Sequence, residues 1–494
     1  EKAGGRREED SLRVAKGIQR NLYRAHCMFL KKILFASTPE FMDMKKSLYA
    51  QAHNLRARRL LDDGEKGSDG EVWEMLSKKG LSQQVLRPTP EPVIPCAMEQ
   101  LRPLLTHIDN KKSDVGEGGG KASATSSMMQ FPRGTIMADG RLDLCKQVVG
   151  PQGISPLLDS LIGSKGITRL LLGNNIVGNG GAEAIAAAIN NPSCPLTTWY
   201  IAGNEIDAKG IKPICQALAK NTQVDQLWLK RNPLLPAGAL EVSWLLKQNQ
   251  TLTVLDLVNC GILDDGIKAL MDGLRSNRAM KHVYLGTNGI TAKGAVHVSE
   301  FLQDTKKKTS LHTLYLSCNR LGDEGARILG EGLRKDNSLQ RLGLAANRIR
   351  AKGLKAIADA VRNHPTLKKL DVGYVKAVKA VAELGNRIED DGAKILAELI
   401  KTNETLRSID CIHNRITERG LTFLRESLEK NSSLTSLDCV QFGIYNELTY
   451  ERIRHCLKRN RNALIERGEA TANSLEKINQ PQHQIDILSV YRTK

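Results

Sequence analysis

Residues 339–357 read LQRLGLAANRIRAKGLKAI. Leu342 and Leu344 flank Gly343, a period of two that fits a short strand with one buried face. Asn347 falls where the chain must turn away from that strand, and its amide can both donate to and accept from backbone groups there. Gly353 lies near the start of AKGLKAIADAVRNH (351–364), whose apolar residues recur at helical spacing. One strand, one turn and one helix in 28 residues make a unit that cannot bury its own apolar faces, so its fold depends on copies beside it.

The copies are present. The Asn position recurs at Asn175, Asn204, Asn232, Cys260, Asn288, Asn319, Asn347, Asn386 and Asn414. The Gly six residues on recurs at Gly181, Gly210, Gly238, Gly266, Gly294, Gly325, Gly353, Gly392 and Gly420. Gln147 with Gly153 keeps the frame before them, and Phe442 stands where a last Asn is due. The series of about eleven units resembles the leucine-rich repeat family, in its ribonuclease-inhibitor-like subtype, over residues 139–444. The resemblance implies an α/β horseshoe solenoid with parallel inner strands, outer helices and capped ends. The same pattern says little about function.

Two intervals break the period by more than one residue. Eleven residues, 375–385, enter between strand and Asn386, and VKAVKAVAEL places Val375, Val378 and Ala382 at helical spacing beside Lys376 and Lys379. A short helix over the rim or concave face is expected there, with a tolerated surface loop as the alternative. Three extra residues at Lys306, Lys307 and Lys308 read as a solvated basic turn.

Outside the array, residues 1–62 read as a basic helical arm with 14 Lys+Arg against 7 Asp+Glu. Residues 63–138 read as short helices and a flexible Gly/Ser-rich linker, and 445–494 as a C-terminal helical cap with a polar tail. GEGGGKAS (116–123) is one residue short of a phosphate-binding loop, and Ala122 stands where a hydroxyl would hold Mg²⁺. No nucleophile motif, metal-ligand spacing or paired-carboxylate motif stands out, so no catalytic residue, cofactor or metal is assigned. Asn249, Asn403 and Asn431 begin glycosylation-like triplets that read instead as helix-end turns.

The ten cysteines form no CxxC pair, which reads as reduced thiols in an intracellular protein, cytoplasmic or in an organelle such as the mitochondrion. No apolar run approaches the roughly 20 residues that span a bilayer. The chain starts at Glu1, which a cleaved targeting peptide or a truncation would explain.

The residues between the two strand leucines should face the concave side. In order they are Asp143, Leu171, Tyr200, Trp228, Asp256, Tyr284, Tyr315, Gly343, Asp371, Asp410 and Asp438. Aromatics make up only 4% of the chain, yet four align in this column. Exposed rings beside cations resemble a protein-binding hot spot. Lateral packing within the sheet is the competing explanation. The candidate partner-binding residues are Tyr200, Trp228, Lys230, Arg231, Tyr284, Tyr315, Tyr374, Lys376 and Lys379.

These features point to a non-catalytic protein–protein interaction scaffold or an assembly subunit of a larger complex, with a ribonucleoprotein among the hosts. It would bind through the concave face and the basic arms, with RNA contact through the arms. The alternative is a regulator of a GTPase or other enzyme, since ribonuclease inhibitors and Ran GTPase-activating protein share the repeat. A net charge of +18 argues against capture of a basic ribonuclease. Immune receptors with such repeats carry a nucleotide-binding domain that the 138 residues before the array are too few to hold.

Overall fold

A computed structural model describes residues 94–113, 128–304, 306–307, 311–375, 378, 383–439, 447–479 and 487–491. The chain divides into two units, residues 1–72 and 73–494, and the described residues all lie in the second. The basic arm over 1–62, the segment 116–123, Lys308, Lys376, Lys379 and Ala382 lie outside them.

Thirteen strands among the described residues form one sheet in chain order. They are β1 (Met129–Gln130), β2 (Thr135–Ile136), β3 (Arg141–Asp143), β4 (Arg169–Leu171), β5 (Thr198–Tyr200), β6 (Gln226–Trp228), β7 (Val254–Asp256), β8 (His282–Tyr284), β9 (Thr313–Tyr315), β10 (Arg341–Gly343), β11 (Lys369–Asp371), β12 (Ser408–Asp410) and β13 (Ser436–Asp438). From β3 onward each strand pairs in parallel with the next. β1, β2 and β3 pair antiparallel. The helices are α1 (Met98–Ser113), α2 (Gly150–Leu161), α3 (Gly178–Asn190), α4 (Ala208–Lys220), α5 (Leu235–Gln248), α6 (Leu263–Ser276), α7 (Ala292–Gln303), α8 (Gly322–Leu333), α9 (Ala351–Val361), α10 (Glu389–Thr402), α11 (Glu418–Lys430), α12 (Glu447–Glu466) and α13 (Ala472–Asn479). The fold is an open leucine-rich-repeat solenoid, with one apolar core running its length between the sheet and the outer helices.

The Asn series forms a ladder between repeats. Asn204 donates through Nδ2 to the Leu172 carbonyl at 2.7 Å, and its Oδ1 accepts from the Asn175 N–H at 3.0 Å. Cys260 keeps only the donor half. Its Sγ lies 3.4 Å from the Leu229 oxygen, and the Asn232 N–H turns to Leu229 O at 3.2 Å. Because each amide satisfies buried backbone groups of two repeats, the ladder fixes the phase of the stack. The recurrent Gly answers a need for space. A Cβ at Gly353 would sit 2.8 Å from Asp323 Cα of the preceding repeat, so a side chain there would push adjacent repeats apart.

A second ladder runs along the helix ends. Asn249 and Asn431 are buried, and their Nδ2 atoms donate to Leu218 O (2.7 Å) and Ile400 O (2.8 Å). Asn403 donates likewise to Val361 O and Arg362 O. The glycosylation-like triplets therefore hold structural amides. Near the three-residue insertion this ladder changes chemistry. Lys307, expected in a solvated turn, is instead pinned: its Nζ donates to Leu302 O at 2.6 Å and pairs with buried Asp336 at 3.3 Å. The lost helix-end amide explains the difference, because Leu302 O needs another donor.

The ends differ from expectation. Residues 63–138 contribute α1, which buries Leu101, Leu104 and Ile108, and the β1–β2 hairpin that extends the sheet. At the other end α12 buries Ile453, Cys456, Asn460 and Leu464, and Asn460 continues the amide ladder to Leu434 O at 2.9 Å. The tail is not wholly polar. Ile487 and Ser489 are buried, and the segment Ile487–Tyr491 lies against β3 to β6, with Ser489 meeting Asp143 across 346 residues of chain.

The 375–385 insertion is anchored by a residue that the helical spacing does not single out. Glu383, 6% exposed, accepts from Arg320 Nε at 2.7 Å and Arg348 Nη2 at 2.7 Å, so it ties the insertion to the turns of two earlier repeats. Val378 is buried, while Leu384 is exposed.

Candidate functional site

The parallel register brings the expected column together. Tyr200 is paired with Trp228, Trp228 with Asp256, Asp256 with Tyr284, and Tyr284 with Tyr315. The rings form a ladder. Tyr200 and Trp228 are tilted at 6.3 Å, Trp228 and Tyr284 stack at 5.7 Å, and Tyr284 and Tyr315 stack at 5.4 Å. Trp228 and Tyr284 meet although Asp256 lies between their strands. Asp256 is short and turns back to accept from the Val258 N–H at 2.8 Å.

Glycines seat the ends of this ladder. A Cβ on Gly343 would lie 2.1 Å from Tyr315 Cδ1, and one on Gly173 would lie 2.6 Å from Tyr200 Cε1. The rings therefore lie down over neighbouring repeats rather than standing into the concave space.

The expectation of exposed rings is corrected in part. Tyr200 and Trp228 are 2% and 4% exposed, because Ile487 and Tyr491 pack with them and with Leu171, Ala202 and Val254. Tyr284 and Tyr315 are half-buried. Burial pushes both phenols up, Tyr315 to about 12 and Tyr284 further, so both stay neutral donors. Arg341, also buried on this face, donates to Lys477 O of α13 at 3.0 Å. Thus α13 lies near the start of β10, beyond the ladder.

The remaining expected residues sit elsewhere. Arg231 donates to Asn174 Oδ1 at 2.9 Å along the turns that follow the strands, and Lys230 is half-buried beside it. Tyr374 packs edge-on against His413 at 4.8 Å, near the start of the insertion. His282 is buried and bonds Thr313 Oγ1 through Nδ1 at 2.9 Å.

The column changes chemistry at β11. Asp371, Asp410 and Asp438 are aligned on adjacent strands. Burial, with the Asp410 charge, pushes the Asp371 carboxyl up to about 7, and burial also raises Asp410. Asp371 and Asp410 each accept from the backbone N–H two residues on, at 3.0 and 3.1 Å, as Asp143 does from Cys145 at 3.1 Å. An Asp in this position therefore has a local structural use, closing the turn after its strand.

Five residues of the surface were missed: Thr135, Arg141, Ile487, Ser489 and Tyr491. The signal in the sequence was the run ILSVY (487–491), β-branched and aromatic, within an otherwise polar tail.

A family model described as Leucine Rich repeat matches residues 193–215, 248–271 and 307–329. Over 197 residues the chain is 30% identical to NACHT, LRR and PYD domains-containing protein 12 of Mus musculus, covering 39% of this chain and 18% of that one. It is 26% identical over 261 residues to the ribonuclease inhibitor of Sus scrofa, covering 47% of this chain and 56% of the inhibitor. The chain spans less than two thirds of the length of either relative. A solved structure of leiomodin-1 actin-binding site 2 matches at 17% identity and a TM-score of 0.26, over 30% of this chain and 78% of that one. That similarity is too weak to bear on function.

Proposed function

We propose, for a chain whose body is a ribonuclease-inhibitor-like leucine-rich repeat array, that it is a non-catalytic interaction scaffold or assembly subunit of a larger protein complex. The observation that carries this reading is the stacked aromatic ladder from Tyr200 to Tyr315 on the concave face. Sheet packing alone would not require four large rings in one column, and rings with neutral phenols are suited to anchoring a protein segment. The rim insertion held by Glu383, with Tyr374, Lys376 and Lys379, would extend the contact. The basic residues of 1–62 would add an acidic partner or RNA.

The test has two stages. The tagged protein is purified from its own cells in mild salt, with and without nuclease. A protein partner that survives nuclease supports the scaffold; loss of every partner with nuclease moves the function to the basic arm. The double variant Tyr284→Ala/Tyr315→Ala is then compared with the parent. Partner loss with an unchanged far-UV spectrum supports the concave face, and retained affinity refutes it. Stimulated GTP hydrolysis by a bound partner would instead favour the enzyme-regulator alternative.

A further inference from the structure

The segment Ile487–Tyr491 lies in the array as a ligand would. It is short and ends in a turn, with the Tyr491 N–H donating to Ser489 Oγ at 3.2 Å; Ile487 and Ser489 are buried, Val490 and Tyr491 are half-buried, and Leu488 is 56% exposed. Ile487 belongs to one apolar cluster with Leu171, Tyr200 and Trp228. Arg141 donates through Nη1 to the Leu488 carbonyl at 2.5 Å. The Asp143 carboxylate takes the Val490 N–H on Oδ2 at 2.8 Å and the Ser489 hydroxyl on Oδ1 at 3.0 Å. The Tyr491 and Thr135 hydroxyls are 2.6 Å apart.

This cradle reads two kinds of information. Arg141 and Asp143 recognise one carbonyl and one N–H of the backbone, groups that any sequence supplies. The charged carboxylate makes the N–H bond strong. Specificity comes from three side chains on one face: an apolar residue on the rings, a hydroxyl on Asp143 two residues later, and a phenol on Thr135 two residues after that. The patch beneath, Leu171, Tyr200, Ala202, Trp228 and Val254, is apolar and would meet water if the segment left.

We propose that the β3–β6 end of the concave face is a peptide-binding site for a short turn-forming apolar-x-Ser-x-Tyr segment, which the chain's own Ile487–Tyr491 fills in cis and thereby withholds from other proteins. The proposal rests on the reading of the concave face as an interaction surface and names what it recognises. A segment tethered in the same chain competes at an effective concentration on the order of millimolar. A segment in trans therefore binds weakly until the resident one is displaced. Seven residues, 480–486, link α13 to the cradle.

The test uses the full chain and a fluorescein-labelled peptide of residues 480–494. Ile487→Asp places a charge on the rings and expels the resident segment, and its folding is checked by circular dichroism and melting. The peptide is expected to bind this variant at least tenfold more tightly than the parent. A peptide carrying Ser489→Glu, which sets a second carboxylate against Asp143, should lose that binding. If Ile487→Asp fails to fold, Tyr491→Phe, which deletes one hydroxyl, serves instead, with binding two- to fivefold tighter than to the parent. Equal affinity for parent and variant, whether weak or tight, overturns the proposal. So does a parent that runs as a dimer which Ile487→Asp converts to monomer, because the segment would then be exchanged between copies. Partner loss in Tyr284→Ala/Tyr315→Ala without peptide binding would leave the interaction reading standing and sink only the cis ligand.

Discussion

The two halves of the concave face use the same strand position for opposite chemistry. From β5 to β9 it holds Tyr200, Trp228, Tyr284 and Tyr315, lying on one another and partly covered by Ile487 and Tyr491. From β11 to β13 it holds Asp371 and Asp410, both half-buried, and Asp438, which is exposed. A solenoid repeats its backbone and its core, but nothing in the repeat dictates the residue that faces inward. Apolar rings on that face gain by being covered. Carboxylates in the same register repel one another, and the most buried of them holds its proton to about pH 7. The aromatic half is thus built to be occupied, whereas the acidic half is costly to cover unless a cation or a proton comes with the cover.

That contrast can be broken most severely at its centre. Trp228→Ala should cost about 3 kcal/mol in urea unfolding, near the lower end for emptying a buried aromatic site. A loss below about 1 kcal/mol would mean that the ring contributes no more than a surface residue does. Gly343→Ala attacks the boundary between the halves. Its methyl group would collide with the Tyr315 ring, and about 2 kcal/mol of overpacking is expected, with a changed near-ultraviolet spectrum as Tyr315 is displaced.

The acidic half should respond in the opposite direction. The Asp371 carboxyl titrates near 7 in the folded chain and near 4 when unfolded, so folding loses stability as pH rises from about 4 to 7. Asp371→Asn removes that loss. It should stabilise the protein at pH 8, by about 1 kcal/mol after solvent screening, and have little effect at pH 4. Melting curves at both values check the sign; equal shifts at the two would show that charge is not the cause. The smallest effect is expected from Tyr491→Phe, about 0.5 kcal/mol for one partly exposed hydroxyl bond. Its signature is local: faster hydrogen exchange at the Val490 amide, with the repeat cores unchanged.

Much of this was legible from one repeat. Asn347, set three residues after the second leucine of an apolar pair, announced a turn amide, and the structure gives its Nδ2 a donor bond to Leu316 O at 2.9 Å while its backbone N–H donates to Oδ1 of the next amide, Asn386, at 2.7 Å. Cys260 falls in the same series, and its thiol keeps one of the two roles. The concave column followed from alternation alone. Lys307 and Glu383 were not legible, because each answers a partner in another repeat: Asp336 for the first, Arg320 and Arg348 for the second. Local periodicity carries no record of such pairs.

The sequence by itself determined the repeat phase, and with it the parallel order of the strands, the amide ladders and the residues that face inward. These properties are periodic, and each is stated many times over along the chain. The tertiary structure decided what covers the inward face. Ser489 meets Asp143 across 346 residues of chain, and that contact occurs once, with no period to announce it. A fold that repeats can be read from any of its copies. A surface that is filled by a single distant segment becomes visible only when the ends of the chain are brought together.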